Sequence, residues 1–371
     1  MVDLKGQYNK IKPEIDTAIK NVIDSSSYIN GNAVKEFTKN LESYLDVKHV
    51  IPCANGTDAL QIALMALGLK AGDEVITTDF TFIATVEVVA LLGLKLKFVD
   101  VDKKTFNLIP EEVEKAITPN TKAIVPVHMF GQAADMRAIM NIAKKYNLYV
   151  VEDTAQAIGG DYKCKNGQSK KLGTIGTIGC TSFFPSKNLG CYGDGGAIFT
   201  NDDELAIKLK QITNHGSKVK YYHDEIGVNS RLDSIQAAIL NVKLKQLDDY
   251  ILARQKAADF YDNAFKNNSK IITPGRENNS THVFHQYTLQ IEGVDRDGLK
   301  EFLNSKGIPA MIYYPYPLHL QKAYKYLGYK ENDFPVTEEL SNKVLSLPMH
   351  TELNEEQLKY ITETVLEYAN K

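Results

Sequence analysis

Between Val47 and Tyr149 the spacing of apolar positions changes back and forth between two periods. Short β-branched runs (HVIPCA, DEVITT, KLKFVDV, KAIVPVH, LYVVED) alternate with segments whose apolar residues recur at helical spacing: TDALQIALMALG, ATVEVVALLG and the stretch around MRAIMNIAKKY. That alternation predicts strands joined by crossover helices, hence an α/β chain built on a mostly parallel sheet covered on both faces. Turn signals at Ala71-Gly72-Asp73 and Pro119-Asn120 punctuate the series. From Gly173 to Thr200 the pattern reads as more strand with glycine turns, and SIQAAILNVKLKQLDDYILARQKAADFYDNAF has the apolar spacing of one long helix joining two domains. Beyond it come a strand (FHQYTLQI), a helix (DRDGLKEFLNSKG), a strand (IPAMIYY), a tyrosine-rich loop broken by prolines, and a closing helix from Asn354. The expected division is a large domain over 1–245 and a smaller C-terminal α/β domain over 246–371.

Composition narrows the class. A chain of 371 residues is long enough for two or three units of about 150 residues and for a deep site. Its 43 basic and 46 acidic residues give a formal charge of −3 with no block of like charge, so no nucleic acid partner is expected. The four cysteines show neither a disulfide framework nor zinc-site spacing, which points to a reducing compartment and no metal. The start, MVDLKGQYNKIK, lacks the apolar run of a secretory signal, so a cytoplasmic location is expected. The most apolar stretch, FIATVEVVALLGLKLKFVDV, carries Glu87, Lys95 and Lys97 and divides at Gly93 into helix and strand patterns, which argues against a membrane span.

Three short stretches carry candidate chemistry. Asn55-Gly56-Thr57-Asp58 follows a strand and opens a helix; its free amides and positive dipole end suit a dianionic phosphate, and the same residues are common helix caps. Asp153 ends a buried-looking strand, where ligands of open α/β sheets bind; a carboxylate there can hold a protonated ring nitrogen, bind a metal or cap a helix. Lys187 lies between Phe183-Phe184-Pro185-Ser186 and Asn188-Leu189-Gly190, neighbours unlike those of a solvated lysine. Desolvation lowers a lysine's pKa from about 10.4 and yields the neutral amine that attacks a carbonyl. Lysines at strand ends also commonly snorkel to water. The combination favours chemistry: a phosphate cradle, the aromatic Phe82, the acid Asp153 and a dry lysine together match the needs of pyridoxal phosphate (PLP).

NGTDAL, FTFIAT, VVEDTAQAIG, TSFFPSKNLGCYGDGGAIFTND and GVNSRLDSIQAAIL resemble the successive signature blocks of the DegT/StrS-type nucleotide-sugar aminotransferases, over nearly the whole chain. The resemblance implies the PLP-dependent transferase fold type I, similar to aspartate aminotransferase. It also implies a Schiff-base lysine at Lys187, pyridine nitrogen on Asp153, ring stacking by Phe82, Gln156 near the ring hydroxyl, and phosphate contacts from Gly56, Thr57 and Ser182. A homodimer follows from the same resemblance, with active sites at the subunit interface and Asn229 crossing from the partner subunit to the phosphate.

Within the family, GVNSRLD resembles the branch that aminates the third carbon of a keto-sugar, in particular UDP-2-acetamido-2-deoxy-3-oxo-glucuronate aminotransferases of O-antigen (lipopolysaccharide) synthesis. The implied sugar contacts are Arg231 from the partner subunit and the aromatic pair Tyr313-Tyr314, which stands where the family pattern more often has histidine then tyrosine. His319, following these tyrosines, is a further candidate substrate contact, and His215 is one near the cofactor. His282 and His285 lack further ligands in sequence and read as a packed or solvent-facing pair. The expected activity is amino transfer from glutamate to a nucleotide-linked 3-keto-hexuronate. A dTDP-3-keto-6-deoxyhexose is the alternative acceptor, and a cofactor-binding sensor without turnover is the alternative class.

Overall fold

A computed structural model describes residues 1–164 and 167–371. Seven strands form the main sheet: β1 (His49–Cys53), β2 (Glu74–Thr78), β3 (Lys95–Val99), β4 (Thr121–Val125), β5 (Tyr149–Asp153), β6 (Ile178–Ser182) and β7 (Gly196–Thr200). Their spatial order is β1-β7-β6-β5-β4-β2-β3. All pairings from β3 across to β6 are parallel, whereas β7 runs antiparallel to both neighbours. The expected α/β architecture with a mostly parallel sheet is therefore present. Both β2 and β7 are buried along their whole length, which is why neither shows an alternation of apolar and exposed polar positions.

Helices cover both faces and define two core layers. One packs Phe37, Leu41, Ile139 and Leu240 against Val150, the other Ile62, Leu64, Val86 and Leu209 against Ile198. The helix Met136–Tyr146 matches its sequence pattern: the Asp135 carboxylate accepts the Ala138 amide at 3.1 Å and Asn147 ends it in the left-handed conformation. The helices Lys12–Ser25 and Asn32–Leu45 pack against Ser234–Leu244.

Two expectations are corrected. The long helix is two, Ser234–Leu244 and Leu247–Phe265, separated by a tight turn at Lys245 and Gln246 that lets Leu244 and Leu247 enter the same core. The smaller sheet is antiparallel and consists of Ile271–Ile272, Tyr287–Ile291 and Val344–Leu347. Its third strand is VLSL and not IPAMIYY, in which only Met311 pairs, with Ser346. Pro309 within that stretch and Pro315 just after it deny it a continuous ladder. The closing helix Glu355–Ala369 begins where expected, in a capping box between Asn354 and Gln357.

The end of β5 is the pivot of the sheet. Successive side chains of a strand point to opposite faces, so Glu152 and Asp153 serve different sides. Buried Glu152 collects the amides of Gly173 (3.0 Å), Ile175 (2.7 Å) and Gly176 (2.6 Å). It also meets His128 Nε2 at 3.0 Å; His128 Nδ1 accepts the Ala134 amide at 3.1 Å, so the imidazole proton sits on Nε2 and is donated to Glu152. Removing the carboxylate strands four donors, two of them buried. Glu152→Ala is expected to lower unfolding free energy by about 3–5 kcal/mol in denaturant titration, and a loss under about 1 kcal/mol would contradict this role.

Candidate active site

A cavity of about 1000 Å³ opens beyond the carboxyl ends of β1, β5 and β6, where ligands of open α/β sheets bind. At one end lies the N-terminus of the helix Gly56–Ala66. The Asn55 side chain accepts the Asp58 amide at 2.8 Å, whereas the Gly56 and Thr57 amides have no acceptor within their own helix and line the cavity. NGTD is thus both cap and cradle. Gly56 is required by close approach: a Cβ there would lie 2.6 Å from the Ser182 Cβ. Ser182 also lines this end, its hydroxyl accepting the Phe184 amide at 3.2 Å.

Asp153 stands deeper in the cavity and is 5 % exposed. Its carboxylate accepts the Thr85 hydroxyl at 2.8 Å and the Ala155 amide at 3.1 Å. The Gln156 amide is oriented by its partners: Oε1 accepts the Phe130 amide at 2.8 Å, and Nε2 lies 3.3 Å from the Tyr314 hydroxyl. Gln156 therefore faces the cavity as a donor. Phe82 is 53 % exposed on the cavity wall, an aromatic face ready to be covered by a flat ligand, with the Tyr314 ring 6.4 Å away. Burial pushes the Tyr314 hydroxyl well above the ordinary phenol range.

Lys187 follows β6 on a tightly tied loop. Its amide donates to the Phe184 carbonyl at 2.8 Å, Asn188 Nδ2 donates to the Val283 carbonyl at 3.0 Å, and buried Lys243 Nζ donates to the Gly190 carbonyl at 2.7 Å. The Lys187 side chain lines the cavity, and its Nζ has no hydrogen bond or ion pair among the described residues. Desolvation lowers its pKa from 10.5 to about 8, against the opposing pull of the Asp153 charge. The residues present thus fit a phosphorylated, planar, nitrogen-containing aldehyde: bare amides, a carboxylate, an aromatic face and an unpaired amine converge on one space.

The structure brings Gly56, Thr57, Phe82, Asp153, Gln156, Ser182, Lys187, Tyr313 and Tyr314 together around this cavity. Asn229 and Arg231 do not line it: Asn229 is exposed beside Asn214, and Arg231 is half-buried with no polar partner among the described residues. His215 is also absent from the lining. His319 is a correction. Its ring is buried, Nδ1 lies 2.5 Å from Asp79, and the Asp79 carboxylate also accepts its amide at 2.8 Å. Burial alone would lower its pKa, but Asp79 outweighs it and raises it. His319 fastens the loop that carries Leu318 and Gln321 to the end of β2 instead of touching the cavity.

Sequence reasoning missed Thr85, whose hydroxyl holds Asp153, and His285, which lines the cavity. The signal for Thr85 was its place one residue into the helix Ala84–Leu91, just beyond Phe82. His282 is a packed ring, stacked on Phe284 at 3.8 Å and lowered by burial to about 3.

The DegT/DnrJ/EryC1/StrS aminotransferase family profile matches residues 9–366. The chain is 50% identical to a pleiotropic regulatory protein of Geobacillus stearothermophilus, covering 99% of this chain and 98% of that one. It is 48% identical to UDP-2-acetamido-2-deoxy-3-oxo-D-glucuronate aminotransferase of Pseudomonas aeruginosa, covering 97% of each. It superimposes with a TM-score of 0.89 on NtdA of Bacillus subtilis, solved with bound cofactor PMP, at 33% identity over 98% of this chain and 83% of that one. With a match that runs almost from end to end and a cavity built of the very blocks that suggested it, the chain belongs to the DegT/DnrJ/EryC1/StrS aminotransferase family.

Proposed function

We propose that this chain binds PLP in the cavity and transfers an amino group from glutamate to the 3-keto carbon of a nucleotide-linked sugar of the UDP-2-acetamido-2-deoxy-3-oxo-hexuronate type. The observation that carries the reading is Lys187: a partially neutral, unpaired amine in the same cavity as the Asp153 carboxylate. Across the cycle glutamate loses its amino group and two electrons to become the 2-oxo acid, and the sugar carbonyl gains both. When bound, the cofactor supplies an electron sink for the carbon that carries the transferred nitrogen.

Asp153 would hold the pyridine nitrogen, Gln156 the ring oxygen, and Gly56, Thr57 and Ser182 the phosphate. Phe82 would cover the ring face and keep water from it. Lys187 would take up and return a proton at the substrate carbon that bears the nitrogen, a task suited to an amine with a pKa of about 8. Arg231 suits a sugar carboxylate or a diphosphate by bidentate hydrogen bonding.

A second copy of the chain completes the site in this reading. Asp58, Asp153 and Asp194 line the cavity, and Lys187 is the one cationic side chain among the described lining residues, yet every proposed ligand is anionic. Cations must then arrive from outside. Arg231 lies beyond an exposed hairpin, Ser217–Val219 with Tyr222–His223; Tyr221 in its turn and Ile226 just after it are 79 % and 87 % exposed, surfaces that a partner would cover. Cytoplasmic placement is supported by four unpaired cysteines, and no helix among the described residues is long and apolar enough to cross a membrane. A role in O-antigen synthesis follows from the substrate assignment.

Glutamate is expected to bleach the visible band of the purified holoprotein. A UDP-3-keto-hexuronate should be aminated with a kcat/KM about tenfold or more above that for a dTDP-3-keto-6-deoxyhexose, and Lys187→Ala should lose at least about 1000-fold. A reversed preference moves the substrate to the dTDP sugar; cofactor binding without bleaching favours the sensor class. Mixing inactive Lys187→Ala with inactive Arg231→Ala protein should restore about a quarter of wild-type activity by statistical pairing of subunits. No recovery after verified exchange would contradict a shared site.

A further inference from the structure

His285 lies in an unusual backbone setting. The residue before it, Phe284, has φ of 45°, in the left-handed region that bulky side chains avoid. Several contacts enforce that conformation. His282 Nδ1 accepts the Phe284 amide at 3.1 Å while the two rings stack, and the Arg276 guanidinium lies 4.7 Å from the Phe284 ring centre. Beneath them buried Arg254 donates to the carbonyls of Phe284 (3.0 Å), His285 (3.4 Å) and Met349 (3.1 Å). Gly131 closes the other side, where a Cβ would lie 2.9 Å from the Phe284 nitrogen and 3.0 Å from the His285 nitrogen. Strain held this firmly is a mark of functional positions.

The result is a ring that is 6 % exposed and lines the cavity. Its Nδ1 is fully buried with no hydrogen-bond partner. A buried N–H without an acceptor costs more than a bare lone pair, so the proton belongs on Nε2, the nitrogen left to face the cavity. The Asn188–Val283 hydrogen bond joins this segment to the loop of Lys187. Burial first, then the charges of Lys187 and Arg254, hold the imidazole well below its ordinary pKa, so the ring is uncharged at neutral pH.

We propose that His285 is a further ligand-contacting residue of this site, its Nε2–H donating a hydrogen bond to an oxygen of the substrate held beside the Lys187 amine. The inference rests on the aminotransferase reading above. The acceptor oxygen belongs either to a carboxylate of the amino donor or to the sugar, and the two half-reactions separate these sources. An uncharged donor suits the place, because it orients an oxygen without adding a second cation that would further suppress protonation of Lys187.

The test compares His285→Phe, which keeps a planar ring and removes the donor, with His285→Gln and His285→Asn, whose amides approximate Nε2 and Nδ1. Each holoprotein is followed by its visible spectrum, by spectral titration with glutarate, and by the kinetics of each half-reaction. Retained cofactor absorbance with a tenfold or larger loss in Phe and Asn, largely rescued in Gln, is the expected result. If the loss appears in glutarate affinity and glutamate KM, the acceptor is the donor's carboxylate; if only in the sugar half-reaction, it is the sugar. Changes under twofold in all three variants, or equal losses in Gln and Asn, would overturn the proposal. If the Phe variant fails to fold, the Gln–Asn comparison decides alone. A wild-type protein without a visible band would instead sink the underlying aminotransferase reading.

Discussion

An amine partly withdrawn from water without a paired counter-charge is disfavoured as a cation, and that cost organises this site. Lys187 is left without a hydrogen bond or ion pair among the described residues, and the Asp153 charge opposes the desolvation without cancelling it. Had Asp153 stood within ion-pair distance, the lysine would be held protonated and inert. Instead the carboxylate accepts the Thr85 hydroxyl and the Ala155 amide. Two opposite charges can then share a cavity and remain available to a ligand.

Such a placement needs rigid supports, and they come from buried polar groups. Glu152, one residue from Asp153, ties down the glycine-bearing segment of Gly173 and Gly176 and the imidazole of His128. Lys243, a second lysine lowered by burial to about 8, spends its charge on the Gly190 carbonyl and steadies the Lys187 loop. Arg254 contacts three carbonyls and, among the described residues, no carboxylate, spanning the long helix and the edge of the smaller sheet. His319 with Asp79 fixes the tyrosine-bearing loop to the end of β2. These links join the two sheets around one cavity, so the geometry of the site follows from packing outside it.

Much of this was legible in the sequence because periodicity reports burial. The parallel strands and the helix Met136–Tyr146 stood out, as did the residues at strand ends where ligands gather, Gly56, Asp153 and Lys187. What escaped notice depends on contacts distant in sequence. The turn between Leu244 and Leu247 carries no glycine or proline, and VLSL is too short to declare its pairing with Tyr287–Ile291. The positions of His319 and His285 escaped notice for the same reason: a histidine's surroundings are set by distant partners, Asp79 in one case and an open cavity in the other.

The central claim is a proton affinity, and it is open to direct measurement. Lysine side-chain NMR of the cofactor-free protein, with the Lys187 signal identified by its loss in Lys187→Met, gives the titration midpoint of that amine. A midpoint near 8 is the predicted result, and one near the ordinary 10.5 would contradict the account.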